Sequence, residues 1–257
     1  MDAILITAGG KRIGKCLSET LACHGYYIYL HYHQACAETA DTLKNIQDEG
    51  GQGELIQCDL GDYDQVDRLI SHCQQSGHPL RHLINNASQF INDSLLDFTE
   101  DSFRSHQNVN LRAPMQLARA LHKQLPEKAK GSVINILDSK VFALNADFHS
   151  YSLSKYGLYG ATEMMAQALA PKVRVNAIAP GLTLISESQS ETNFQLASHL
   201  NYVGEPLKVE DIAHTARLLI ESPSLNGITI PVDGGQKMIN FTGDVVHVAD
   251  SILKNIK

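Results

Sequence analysis

The chain is predicted to fold as a doubly wound α/β domain, a parallel sheet of seven strands with helices on both faces. Three observations carry this expectation. Short β-rich runs alternate with longer stretches of helical periodicity along most of the 257 residues. Strands separated by helices need crossover connections, which make the sheet parallel and cover both its faces. A glycine-rich turn follows the first run directly, as it does where such sheets bind dinucleotides. No linker, internal repeat or low-complexity segment breaks the alternation, so one domain over 1–257 is expected, a length open α/β folds reach as a single unit.

In chain order, AILIT (3–7) reads as the first strand, followed by the glycine turn and a helix to about residue 24. YYIYLHY (26–32) and ELIQCDL (54–60) read as strands two and three. HLINNAS (82–88), SVINILD (132–138) and RVNAIAP (174–180) supply strands four to six, and ITIPVDGG (228–235) the seventh. Between them, 62–73 and 102–125 carry apolar residues at helical spacing. The polar, Ser-rich segment 182–207 sits where such folds carry a mobile substrate lid. The tail 236–257 ends in an amphipathic pattern, DVVHVADSILKNIK, of the kind that more often packs on a neighbouring subunit than takes part in chemistry.

Composition excludes several classes. With 43% hydrophobic residues the chain can bury a large core. Its 21 basic and 28 acidic residues give a net charge of −7 with no long basic run, which argues against nucleic acid or an anionic membrane as partner. No segment approaches the ~20 apolar residues of a membrane span, and the start lacks a secretory pattern. Cys16, Cys23, Cys36, Cys58 and Cys73 are an odd set without metal-like spacing and read as buried reduced thiols. A cytoplasmic location is expected.

The first turn, Thr7 to Gly14 through Lys11, Arg12 and Ile13, has the strand–glycines–helix context in which a helix N-terminus receives a pyrophosphate. Strand two ends in Leu30-His31-Tyr32-His33-Gln34, with no carboxylate for the ribose hydroxyls of NAD. Lys11, Arg12, His31 and His33 could together attract a 2′-phosphate, which favours NADP(H) over NAD(H). The alternative for the histidines is a polar strand end that binds nothing.

Tyr151 and Lys155 are four apart on a predicted helix, so both side chains leave one face. A tyrosine with a pKa of about 10 exchanges protons poorly at neutral pH, and a nearby ammonium is expected to lower that value. Thirteen residues before Tyr151 stands Asp138. An ionised carboxylate opposes the negative charge that grows on oxygen when a carbonyl is reduced. A carboxylic acid suits protonation of a ring nitrogen as hydride reaches the adjacent carbon, and a partly desolvated site would raise its pKa for that task. Ser139, one residue on, takes the place only if the register slips.

These residues resemble the short-chain dehydrogenase/reductase family, whose mark is Tyr-x-x-x-Lys and whose usual glycine loop is T-G-x-x-x-G-x-G. The chain departs from that loop at Ala8 and Arg12, and from the family's catalytic serine at Asp138. More narrowly, KRIG (11–14), LHYH (30–33), NNASQF (85–90) and Asp138 with Tyr151 and Lys155 resemble the pteridine reductase branch, which includes dihydromonapterin reductases. The resemblance spans about 3–235 and implies a Rossmann-like fold, a homotetramer and a small-molecule pterin substrate.

By the same resemblance, Lys155 bonds the nicotinamide ribose and Asn110 helps hold a proton-relay water. Asp59 and Leu60 contact the adenine, Asn86 and Ala87 follow the family's N-N-A-G, and Ser88 touches phosphate or substrate. Pro180, Gly181 and Thr183 flank the nicotinamide. Arg12 lies near the pyrophosphate and the pterin edge, and Phe90 stacks on the bicycle, its alternative being plain core packing. Gln34 and Ala35 depart from the basic and hydroxylic residues the branch has for the 2′-phosphate. The implied reaction turns a dihydropterin into a tetrahydropterin; a short-chain ketone or 3-oxoacyl reductase is the alternative.

Overall fold

The structure is a computed structural model that describes residues 1–186 and 189–255. The expected lid and tail helix each include residues outside that range. β1 (Ala3–Ile6) is buried at every residue, as a central parallel strand covered on both faces requires. The chain continues through α1 (Arg12–Cys23), β2 (Tyr27–Tyr32), α2 (Cys36–Asp48) and β3 (Gln52–Gln57). Asp62 then caps α3 (Tyr63–Gln75) by accepting the N–H groups of Asp64 and Gln65, and β4 (Leu80–Asn85) follows. Thr99 and Ser102 form a capping box at the start of α4 (Glu100–His106).

The single helix expected over 102–125 is three pieces: α4, a π-helical turn over Gln107–Arg112, and α5 (Ala113–Gln124). Pro114 opens α5, where its missing N–H costs nothing. β5 (Gly131–Ile136) is wholly buried, and a 3₁₀ turn (Ser139–Phe142) leads to α6 (His149–Ala168). β6 (Val173–Pro180), α7 (Glu191–Ala197), α8 (Val209–Glu221), β7 (Thr229–Val232) and α9 (Val245–Asn255) complete the chain.

The strands form one parallel seven-stranded sheet in the order β3-β2-β1-β4-β5-β6-β7. Leu17, Leu21, Ile46, Ile212 and Leu219 from α1, α2 and α8 fill the core on one face. Val66, Leu69, Leu117, Leu121 and Ala166 from α3, α5 and α6 fill the other. The order reverses between β1 and β4, so loops leaving their carboxyl ends diverge and open a crevice. The expected strands run on too far at that edge, because Thr7, Cys58 to Leu60, Asn86 to Ser88 and Asp138 have left the ladder. Among the described residues no helix is long and apolar enough to cross a membrane.

Two expectations need correction. Cys58 and Cys73 are buried, and burial pushes the Cys58 thiol up to about 12, but Cys23 and Cys36 are exposed. They end α1 and begin α2, where a helix turns towards solvent. His31 is also buried and cannot serve as a cation for phosphate. Its Nε2–H donates to the Cys58 carbonyl at 2.9 Å and its Nδ1 accepts the Ala8 N–H at 3.1 Å, which defines a neutral ring.

Burial holds the imidazoles of both His31 and His82 down to about 4. On unfolding each recovers its ordinary value near 6.5, so below that pH the unfolded chain binds more protons. This stability is fully present above about pH 6.5 and is lost as the pH falls towards about 4. Thermal unfolding between pH 7 and pH 4.5 is expected to show a falling Tm, with a smaller fall in a His31→Gln/His82→Gln variant.

Candidate active site

The crevice begins at the glycine turn. Thr7 Oγ1 accepts the N–H groups of Asn86 and Ala87, each at 2.9 Å. Asn86 Nδ2 donates back to the carbonyls of Thr7 and Ala8 at 2.9 and 3.2 Å. Ser18 and Thr42 hydroxyls hold the carbonyls of Gly9 and Gly10, both at 2.8 Å. Asn86 and Ala87 thus fix the turn through the polar groups they expose. Ala8 and Arg12 have φ of 50° and 54°, so both departures from glycine keep the left-handed backbone that glycine supplies. At Gly14 a Cβ would lie 2.0 Å from the Ala8 carbonyl oxygen, so no side chain fits.

The N-terminus of α1 has no side-chain cap and no acidic residue in its first turn. Its free amides and dipole favour an anion, and the exposed Lys11 and Arg12 adjoin it. Ile13 turns inward onto the core. Arg12 reaches across the crevice, donating from Nη1 to the Ile185 carbonyl at 2.6 Å. His33 is exposed and 3.9 Å from the Asp59 carboxylate, whose other oxygen accepts the Gly61 N–H. Leu60 is buried beside it.

On the catalytic side, the Tyr151 hydroxyl donates to Asp138 Oδ2 at 2.8 Å, while Asp138 Oδ1 accepts the Lys140 N–H at 2.9 Å. The residue facing Tyr151 is therefore Asp138, and Ser139 is buried in the turn beyond. Burial first, and then the Asp138 charge, push the Tyr151 hydroxyl well above its ordinary range. This reverses the expectation that Lys155 lowers it. Lys155 Nζ donates to the Ile136 carbonyl at 2.8 Å and lies 5.7 Å from the Tyr151 ring centroid, with burial bringing the ammonium down to about 8. Tyr151 stays protonated, and two of the ammonium's three N–H groups remain for a ligand.

Phe90 is 46% exposed and so is not core packing. Its ring stacks on Phe148 (4.6 Å, 16°) and meets Tyr151 edge to face (4.7 Å, 82°). Its neighbours on both sides are clamped. Asn110 Oδ1 accepts the Gln89 N–H at 2.7 Å, and Asn110 Nδ2 donates to the Gln89 carbonyl and to Ser154 Oγ. His106 Nε2 accepts the Ile91 N–H at 3.1 Å, with Nδ1 bonded to the Ser102 carbonyl. The π-helical turn between His106 and Asn110 presents both clamps to one loop. The Asn110 amide thus anchors Gln89 and Ser154, a role the sequence did not suggest.

A cavity of about 580 Å³ lies against these groups, lined by Phe90, Asp138, Phe148, Thr183, Asp244 and His247 among others. Pro180 and Gly181 border it, and Ser88 is exposed at the end of the β4 loop. α9 lines the outer end of the cavity within its own chain. It is held to α7 by Asn193 Nδ2, which donates to the Val246 carbonyl and to Asp250 Oδ1 at 2.9 and 2.5 Å. Sequence reasoning also missed His106 and Phe148. A signal existed only for Phe148, three residues before Tyr151.

Comparisons with known proteins agree with this geometry. The profile described as short chain dehydrogenase matches residues 2–196. The chain is 37% identical to a Brucella suis protein solved as FolM alternative dihydrofolate reductase 1 in complex with NADP, at a TM-score of 0.89 over 93% of this chain and 96% of that one. Its Brucella canis counterpart, also complexed with NADP, is 36% identical at a TM-score of 0.86 over 93% and 95%. A 3-oxoacyl-[acyl-carrier-protein] reductase of Synechocystis sp. is 28% identical over 91% of this chain and 96% of its own.

Because a Cβ at Gly14 meets backbone at 2.0 Å, Gly14→Ala is expected to force the turn open. A cost of about 1–3 kcal/mol corresponds to a Tm roughly 2–12 °C lower by calorimetry.

Proposed function

The chain belongs to the short-chain dehydrogenase family, and from that membership we propose that it is an NADPH-dependent reductase of dihydropterins. The observation that carries the reading is the Tyr151–Asp138 hydrogen bond beside an exposed aromatic ring, Phe90. A carboxyl group in that place disfavours a growing oxyanion and suits a basic ring nitrogen. The two Brucella structures support the same substrate class and the phosphorylated cofactor.

The residues fit NADP(H). The uncapped N-terminus of α1 and Arg12 would hold the pyrophosphate, Lys155 the nicotinamide ribose, and Thr183 the carboxamide. With His31 neutral, the 2′-phosphate falls to Lys11, Arg12 and His33. Bound there, the cofactor supplies hydride to the ring carbon of the substrate's C=N bond. Phe90 holds the flat bicycle by stacking. The proton for the adjacent nitrogen would come from the Tyr151 hydroxyl and pass through the Asp138 carboxylate along their shared hydrogen bond, leaving a phenolate that the Lys155 ammonium faces until solvent reprotonates it. Leu184 and Ile185, whose carbonyls accept from Arg12, would cover the site from the lid side.

The test follows NADPH and NADH oxidation with dihydropterins, dihydrofolate and a panel of ketones. Turnover confined to the pterin-containing substrates, faster with NADPH, is the expected result; turnover of ketones alone would identify a carbonyl reductase. Asp138→Ser is expected to abolish pterin turnover without changing the fold by circular dichroism. Tyr151→Phe should lower kcat by about 10²–10⁴-fold.

A further inference from the structure

We propose that His247, oriented by Asp147, forms a polar subsite at the outer end of the cavity and hydrogen-bonds a hydroxyl on the substrate's side chain. The proposal rests on the dihydropterin reading and extends it beyond the ring. His247 lines the same cavity as Phe90 and Asp138. Its ring lies parallel to Phe148 (5.6 Å, 13°), which lies parallel to Phe90 (4.6 Å, 16°). The imidazole thus continues a row of rings that starts at the stacking platform.

The hydrogen bonds of the ring separate a binding role from a structural one. His31 and His106 are buried, and each has both ring nitrogens bonded within the chain. The His247 side chain is 41% exposed, and only its Nδ1 is bonded, to Asp147 Oδ2 at 2.9 Å. Burial favours the neutral Asp147 carboxyl, but the Asp244 N–H and the His247 ring outweigh it and hold the group below its ordinary range. An ionised carboxylate only accepts, so Nδ1 carries the proton. Nε2 has no hydrogen-bond partner among the described residues and is free to bond a hydroxyl, which both donates and accepts.

The mount is rigid. Asp244, at the start of α9, accepts from Lys140 Nζ at 2.9 Å and gives its own N–H to Asp147 Oδ2 at 2.7 Å. Lys140 Nζ also donates to the Asp147 carbonyl at 3.0 Å, so two bonds join the start of α9 to the loop before Phe148 and a third closes that loop on itself.

The test compares two substrates, 7,8-dihydropterin bearing a 6-trihydroxypropyl chain and 6-methyl-7,8-dihydropterin, in the full-length protein with NADPH. His247→Phe keeps the ring stack and removes the nitrogens. It is expected to lower kcat/KM about five- to tenfold for the hydroxylated substrate, the scale of one hydrogen bond, and to leave the methyl substrate unchanged. His247→Gln, which retains a polar group, should recover part of the loss. An equal fall on both substrates, or no fall on either, overturns the subsite and leaves the dihydropterin reading intact. If the parent protein turns over neither substrate, that reading falls and the subsite with it.

Discussion

The Thr7 hydroxyl accepts the N–H groups of both Asn86 and Ala87, and this joint couples the two halves of the active site. It lies where the strand order reverses, so β1 and β4 send their loops in opposite directions from adjacent positions. On one side the backbone turns through Ala8 and the glycines to the N-terminus of α1. On the other it runs through Ser88 to Phe90. A twisted parallel sheet offers this divergence once, and a short hydroxyl spans it without taking up ligand space.

The catalytic pair follows from the same economy of placement. Asp138 follows the end of β5 and Tyr151 enters on the first turn of α6, thirteen residues later in sequence but 2.8 Å apart in space. Putting a carboxylate against a buried phenol drives the phenol towards its protonated form. Lys155 is drawn instead to the Ile136 carbonyl and keeps its remaining donors for a ligand. Tyrosine and lysine keep the spacing used across the family, yet the charge between them is redistributed by one neighbour.

The features legible in the sequence were those with a local cause. Alternating apolar runs revealed the sheet, and fixed spacing revealed Asp138, Tyr151 and Lys155 together, with even the one-residue ambiguity at Ser139 resolved as expected. What escaped depends on contacts between distant segments. His31 looked like a cation at a strand end, but β3 and the glycine turn enclose it and take both ring nitrogens. The two bonds by which Asn110, held in the π-helical turn, anchors the Gln89 backbone were equally invisible. His106 and the contribution of α9 to the cavity left no periodic trace, because each joins residues whose pairing only the folded chain defines. The strand ends overran because the polar residues that follow each run, such as Thr7 and Asn86 to Ser88, stay extended in sequence pattern after the last ladder hydrogen bond.

The left-handed residues Ala8 and Arg12 have a consequence for affinity. Glycine at these positions would sample many backbone states in the free protein and surrender them when an anion arrives. Alanine and arginine, already committed by the surrounding hydrogen bonds, have little conformational freedom left to lose. The turn therefore holds about 1–2 kcal/mol of backbone strain per residue in the folded chain, and in return ligand capture there carries a small entropic penalty. Preorganisation of this kind shows as tighter binding in a protein that is correspondingly less stable alone.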